Sequence, residues 1–176
     1  TTGNPKGVVL DYNANQKTSE LNYEENPFNI DFKGQNDFFS YLPLNHIAER
    51  VVVEFAAYRF GGTISFAESL DTFAQNLQDA QPTVFFAVPR IWTKFQMGIL
   101  AKLPQEKLDK VLRIPILSWI IKRKLKKALG LGRARSIVSG AAPMLDTQRS
   151  WFRSIGIDIF NGYGMTENCA VSTLLN

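Results

Sequence analysis

Five short apolar runs, spaced along the chain with helical patterns between most of them, constrain its fold more than any other feature. They fall at 38–43, 63–67, 83–88, 136–139 and 157–160 and are rich in β-branched and aromatic residues, as expected of strands on a pleated, buried surface. The stretch 47–60 is apolar almost all round, with Glu49, Arg50 and Glu54 expected to share one side, and reads as a largely buried helix. Residues 70–80 place Leu70, Phe73, Ala74 and Leu77 at i, i+3, i+4 and i+7, with Pro82 as a stop. Residues 146–155 form a third helical pattern, closed by Gly156. Strands alternating with helices of this length build βαβ units. The expected fold class is therefore α/β, a mainly parallel β-sheet flanked by helices. In such sheets ligands collect at the carboxyl ends of the strands, which directs attention to 42–46, 140–143 and 162–167.

Two stretches are less regular. Residues 13–36 are polar without sustained periodicity and are expected to be loop with at most a short turn of helix. Residues 90–130 are helical in character, broken at Pro104 and Pro115. The 176 residues suit one domain with a sizeable core, and 45% hydrophobic against 20% charged residues excludes wholesale disorder. A single cysteine, Cys169, excludes an internal disulfide and a multi-cysteine metal site, and a single histidine, His46, excludes a His-rich zinc centre. This usage fits a reducing, cytoplasmic setting. No apolar run reaches the ~18–20 residues that would span a bilayer. Thr1 opens a polar Gly/Pro-rich loop, so the chain reads as an internal segment of something longer.

Three loops carry candidate chemistry. Thr1, Thr2, Gly3 and Lys6 combine hydroxyls, a glycine and a cation, a set that can cradle a polyphosphate or equally form a surface turn. Gly140, Ala141, Ala142 and Pro143 follow a strand with small residues that admit a flat ligand or simply pack a tight turn. Tyr163-Gly164-Met165-Thr166-Glu167 gathers a ring, a hydroxyl and a carboxylate after another strand, able to stack on a base, donate to a phosphate and bind Mg²⁺, or to cap a helix.

Taken together and in this order, the three loops resemble those of the adenylate-forming, AMP-binding superfamily, including its complete Tyr-Gly-x-Thr-Glu motif. The resemblance implies that Tyr163 stacks on adenine beside Gly164, that Gly140, Ala141, Ala142 and Pro143 line the adenine pocket, and that Thr166 contacts the α-phosphate. It implies further that Glu167 holds Mg²⁺, and that Thr1, Thr2, Gly3 and Lys6 cradle the β- and γ-phosphates. Leu42-Pro43-Leu44-Asn45-His46 resembles the same family's Leu-Pro-Leu-x-His segment, which makes His46 a substrate-positioning residue between the acyl and thiol sites. Val88-Pro89-Arg90-Ile91-Trp92-Thr93-Lys94 resembles the long-chain fatty acyl-CoA synthetases. There Trp92 could wall or gate an acyl tunnel, or pack a core.

The resemblance implies ATP-dependent activation of a long-chain fatty acid to acyl-AMP and then acyl-CoA, with ATP, Mg²⁺ and coenzyme A required. The catalytic set is Lys6, His46, Thr166 and Glu167. Residues 1–176 would be a single partial domain, running from the phosphate loop to the Tyr-Gly-x-Thr-Glu motif of the large N-terminal domain. The small C-terminal domain and its lysine would lie beyond it, and the segment alone would be inactive. Two other readings stay open: a fatty acyl-AMP ligase that loads a carrier protein, and a non-catalytic nucleotide-binding module. The net charge of +4 is concentrated in Lys122-Arg123-Lys124-Leu125-Lys126-Lys127. On the 117–129 helix, Leu117, Ile120, Ile121, Leu125 and Ala128 are expected to oppose Lys122, Arg123, Lys126 and Lys127. That pattern suits either ordinary inward packing or peripheral membrane contact. The basic run lacks interleaved aromatics, which argues against a nucleic-acid partner. Oligomeric state is not legible in the sequence.

Overall fold

The computed structural model describes residues 7–26, 28–170 and 172–175. Among them runs a six-stranded sheet: β1 (Asn36–Ser40), β2 (Gly62–Phe66), β3 (Val84–Ala87), β4 (Ser136–Ser139), β5 (Phe160–Tyr163) and β6 (Thr173–Leu175). Their spatial order is β2-β1-β3-β4-β5-β6. The first five are mutually parallel and β6 pairs antiparallel with β5. The order reverses direction between β1 and β3, so the chain leaves these neighbours towards opposite edges and a crevice opens at their carboxyl ends.

Side-chain alternation divides the interior. Phe39, Phe85, Ala87 and Ile137 point into one core, shared with Trp92, Phe95, Leu108, Phe152 and Ile155. Phe38, Val84, Phe86 and Val138 point into a second, shared with Phe28, Ile30, Val52, Val53 and Ala56. Helices α3 (Phe73–Ala80), α4 (Pro89–Lys102), α5 (Gln105–Leu112), α6 (Pro115–Ala128) and α7 (Asp146–Ser154) follow in chain order. Pro104 and Pro115 separate α4, α5 and α6, each preceding or opening a helix where its missing N–H is harmless. Gly156 and Gly130 both take positive φ in turns that close helices. A Cβ on Gly130 would run into the Leu77 backbone, so this turn requires glycine twice over.

The amino ends of the central strands are tied together by polar groups. The Asp37 N–H donates to Thr83 Oγ1 at 2.9 Å, the Thr83 N–H to the Asp37 carbonyl, and the Arg135 N–H to the Thr83 carbonyl. Arg133 pairs with the Asp37 carboxylate at 2.6 Å, and Arg135 donates to Asn36 Oδ1. These bonds draw Asn36 and Asp37 into β1, which therefore begins two residues before the expected run. It also ends before Pro43, because the Leu42 N–H is already taken by Glu49 Oε2. β5 lies three residues later than expected: Ile157 and Ile159 are fully buried in the first core as loop, and pairing with β4 starts only at Phe160.

Two other differences have clear causes. Residues 13–36 contain α1 (Tyr12–Glu25) rather than mostly loop. Asp11 Oδ1 accepts the Asn13 N–H at the helix start, Gln16 bonds Glu20 one turn on, and Tyr23 rests on Phe32 and Phe60 with Arg59 over its ring. Its helix is supported by a cap and by aromatic contacts far along the chain, not by an apolar stripe. The 47–60 helix contains a π-helical stretch, Glu49–Phe55, before α2 (Ala56–Phe60). Here Glu49 is 1% exposed while Arg50 is exposed, so the three charged residues do not share a side.

Among the described residues Trp92 is the largest fully buried side chain, edge-on to Phe85, Phe95 and Phe152 at ring distances of 5.4–5.7 Å, and its Nε1–H has no acceptor among them. Trp92→Ala is expected to cost about 3–5 kcal/mol in denaturant unfolding. Trp92→Phe should cost much less, since it retains ring contacts and removes an unpartnered donor.

Candidate active site at the carboxyl edge of the sheet

The segment after β1 is held from the π-helical stretch. Glu49 Oε2 accepts from the Leu42 N–H at 3.3 Å, Arg50 Nε donates to the Leu44 carbonyl at 2.8 Å, and the His46 N–H donates to the Pro43 carbonyl. His46 Nδ1 accepts the Ala48 N–H at 3.2 Å, so a neutral imidazole carries its proton on Nε2. Tyr41 spans the switch point, its hydroxyl accepting the Val88 N–H that opens α4. Burial, and to a lesser degree the nearby Glu49 charge, pushes the Tyr41 phenol up to about 12. Wider helical turns of this kind often mark functional regions, and here the wide turns begin three residues after His46.

The loops after β4 and β5 meet this segment from the other side. Gly140 is buried, and a Cβ there would press on Phe86 and the Gly162 carbonyl. Ala141 adopts a positive φ of 65°, a strained conformation for a residue with a Cβ. Gly164 lies so close to the Ala170 backbone that no side chain fits. Beyond it Thr166–Asn168 form a single 3-10 turn, with Asn168 Oδ1 accepting the Met165 N–H.

Between these loops lies a cavity of about 420 Å³, within the size range of small-molecule sites. Its walls include His46, Gly140, Ala141, Tyr163 and Gly164, five residues nominated from sequence. Phe28, Ala48, Val52, Phe86 and Val138 give it an apolar floor. Tyr163 is 59% exposed at the rim, leaving its ring face available to a planar group. Ala142, Pro143, Thr166 and Glu167 sit on the adjoining loops but do not line the cavity, and Ala142, Pro143 and Glu167 are exposed. Thr1, Thr2, Gly3 and Lys6 lie outside the described residues. Trp92 is in the first core, away from this cavity. A second, more apolar cavity of about 580 Å³ between α3, α4 and α6 contains none of the nominated residues.

Leu21, Glu25 and Phe28 from the α1 region, and Ala170, Ser172 and Thr173 around β6, complete the wall and were not nominated from sequence. The α1 side chains carried no periodic signal. β6 is only three residues long, and the N–H of Ser172 just before it bonds the Tyr163 carbonyl. Among the described residues no group of three or more His, Cys, Asp or Glu side chains could hold a metal. Glu167 offers one carboxylate, which fits Mg²⁺ held jointly with a substrate's phosphates rather than in an all-protein cage.

The AMP-binding enzyme family matches residues 1–176, the whole chain. The chain belongs to this family. It is 28% identical to long-chain-fatty-acid–CoA ligase ACSBG2 of Gallus gallus over 211 residues, covering 99% of this chain and 26% of that protein. Long chain acyl-CoA synthetase 5 of Arabidopsis thaliana is also 28% identical, over 97% of this chain and 29% of its own length. Among solved structures, the A domain of carboxylic acid reductase from Segniliparus rugosus, in complex with AMP and a co-purified carboxylic acid, superposes with a TM-score of 0.67. That match has 26% identity and covers 94% of this chain and 26% of that one. The o-succinylbenzoate CoA synthetase of Bacillus subtilis, at 21% identity and a TM-score of 0.66 over 99% of this chain and 30% of that one, shares the fold. The chain thus spans little more than a quarter of the length of the two ligases it resembles. The α/β sheet with five parallel strands is also the fold of the N-terminal domain of FACL13 from Mycobacterium tuberculosis, matched at 22% identity and a TM-score of 0.64 over 99% of this chain and 37% of that one.

Glu49 yields a pH test. Burial pushes its carboxyl up, against the opposing pull of the Ser40 hydroxyl and the Leu42 and Tyr41 N–H groups. Its Oε1 is buried without a hydrogen-bond partner among the described residues. Because the folded-state pKa lies above the unfolded value of 4.5, the unfolded chain releases its proton first as pH rises. Stability is therefore lost as pH rises from the unfolded pKa through the folded one. Glu49→Gln should gain thermal stability over the native chain on going from about pH 4 to about pH 7, the gap closing at the acid end. A melting-temperature difference independent of pH would contradict this.

Proposed function

We propose that the full-length protein activates a long-chain fatty acid with ATP, forming acyl-AMP and pyrophosphate, and then transfers the acyl group to the thiol of coenzyme A. The observation that carries this reading is the cavity in which His46, Gly140, Ala141, Tyr163 and Gly164 converge at the carboxyl edge of the sheet, in a member of the AMP-binding family. Relatives named as long-chain-fatty-acid–CoA ligases support the substrate class.

In the first step a fatty carboxylate oxygen attacks the α-phosphorus, the bond to pyrophosphate breaks, and pyrophosphate leaves with its electron pair. No base is needed, because the carboxylate is ionised near neutral pH. The task is positioning and charge stabilisation. Tyr163 at the rim would stack on adenine, while the backbone of Gly140 and Ala141, held against Phe86 and β5, would form the flat wall beside it. Thr166 would donate to the α-phosphate, and Thr1, Thr2, Gly3 and Lys6 would cradle the outer phosphates. Glu167 would hold Mg²⁺, which when bound neutralises charge developing on the phosphates. The apolar floor would take the acyl chain nearest its carboxyl, with His46 Nε2–H aimed at the reacting end. In the second step the thiol gives up its proton to solvent, its sulfur attacks the mixed-anhydride carbonyl, the carbonyl–phosphate oxygen bond breaks, and AMP departs with the electron pair. With this chain covering 26% of a ligase relative, the remaining machinery would come from the rest of the protein, and residues 1–176 alone would not turn over.

A second acceptor has a specific observation behind it. The A-PCP didomain of the Segniliparus rugosus carboxylic acid reductase, solved with AMP, matches at 25% identity and a TM-score of 0.68. Loading of a carrier protein is therefore the competing outcome of the transfer step.

Fatty-acid-dependent exchange of labelled pyrophosphate into ATP by the full-length protein tests the first step, and an acceptor panel of coenzyme A and carrier protein tests the second. Tyr163→Ala should raise the KM for ATP about tenfold through lost base stacking, and His46→Ala should raise the KM for fatty acid more than that for ATP. Absence of exchange with every fatty acid would favour a non-catalytic nucleotide-binding module.

A further inference from the structure

Helix α6 contrasts with the other helices packed on the first core. Its described residues include none that is buried, although Pro115–Ala128 contains Ile116, Leu117, Trp119, Ile120, Ile121 and Leu125. Leu125 packs partly against the first core, and Ile121 and Leu125 line the second cavity. Their inward neighbours include two of the four cations expected on the solvent side. Lys122 is half-buried with its stem against Gly156, and Lys126 is half-buried with Nζ donating to the Ala134 carbonyl at 3.1 Å. Leu117 and Ile120, expected to face inward, face outward instead.

The outward face is divided along the helix axis rather than around it. Its first half is apolar: Ile116 is 74% and Trp119 63% exposed, joined by Ile114 at the helix entrance and by Leu117 and Ile120. Its second half is cationic, presenting Arg123, Lys124 and Lys127. The two halves meet where the Arg123 guanidinium lies over the Trp119 ring at 5.6 Å. No acidic residue occurs anywhere in the helix.

We propose that this face of α6 docks on an anionic phospholipid surface, with Ile116, Trp119 and Ile120 entering the headgroup–acyl boundary and Arg123, Lys124 and Lys127 pairing with lipid phosphates. A protein surface is the poorer occupant. Burial under another protein segment would desolvate three cations, charges that interface cores characteristically avoid and that need well-placed acidic partners. A lipid headgroup layer supplies dense anionic charge beside a hydrocarbon region, matching both halves at once. Tryptophan with an adjacent arginine suits the membrane–water boundary, where an apolar ring and a polar edge are both accommodated. At about 1.5 Å per residue the 14-residue helix is ~21 Å long. It would lie in the surface plane. Among the described residues, no helix is long and apolar enough to cross a membrane. The inference does not rest on the ligase reading.

The test is co-sedimentation of the full-length protein with vesicles of phosphatidylcholine alone and of phosphatidylcholine mixed with phosphatidylglycerol, across a salt series. Binding to the anionic vesicles that weakens with salt is expected, with little binding to the neutral ones. Lys124→Glu combined with Lys127→Glu should weaken the anionic association by at least about 25-fold, near fivefold for each cation removed. Trp119→Ala should weaken it without changing the salt dependence. These side chains are exposed, and unchanged circular dichroism and melting temperature would establish that the variants fold. Pyrophosphate exchange with a detergent-dispersed fatty acid should be unaffected in all of them. Equal binding to neutral and anionic vesicles, no binding to either, or variants that bind like the native protein would each overturn the proposal. In the second case the face is covered by another part of the protein.

Discussion

Burial of a parallel sheet on both faces is the constraint from which the rest of this molecule follows. Consecutive strand residues point to opposite sides, so Phe38 and Phe39, and Phe85 and Phe86, each need a separate apolar layer. One layer is built by α3, α4, α5 and α7, centred on Trp92 and Phe152. The other is built by the π-helical stretch, α2 and the Phe28–Ile30 region. Parallel strands also require a crossover between every pair, which accounts for the helices between the strands and places all the amino ends on one edge.

The two edges are specialised differently. At the amino edge, Asp37, Thr83, Arg133 and Arg135 form short, mutually satisfied contacts that bind β1, β3 and β4 into one unit. At the carboxyl edge the backbone is less relaxed. Ala141, Cys169 and Ala170 adopt positive φ, Gly164 sits where only glycine fits, and Glu49 buries a carboxyl oxygen that has no partner among the described residues. Positive φ occurs before the amino end of β3 as well, at Gln81, but at the carboxyl edge it falls in loops that border the cavity, and such conformations often cluster at ligand sites. The bonded amino edge holds the strands in register while the loops at the other end depart from low-energy geometry.

Much of this was legible in the linear pattern, and its failures share a cause. β2, β3, β4 and α7 fall close to their expected positions because their own residues carry the signal: β-branched runs, prolines and Gly156. α1 was not legible, because its polar face is stabilised through Tyr23 meeting Phe32 and Phe60, contacts that periodicity within the helix does not encode. The β5 boundary moved because full burial of Ile157 and Ile159 in the core makes them as apolar as a strand without any ladder pairing. The α6 faces were misassigned because inward packing was inferred from hydrophobicity alone. In the fold, Gly156 and the Ala134 carbonyl make room for Lys122 and Lys126 on the inner side.

The sequence by itself determined the fold class, the family, and the loops after β4 and β5 together with His46 as the parts of the chain to examine. These are local properties: strand and turn composition, glycine where a side chain cannot fit, and a motif confined to five consecutive residues. Only the tertiary structure decided that His46, Gly140 and Tyr163 share one cavity, that Trp92 belongs to a core, that Glu49 is an inward-facing acid, and that α6 turns tryptophan and isoleucine outward. Each of those outcomes depends on which elements pack together across long sequence separations. Side-chain burial is fixed by neighbours in space, and no window of sequence contains them.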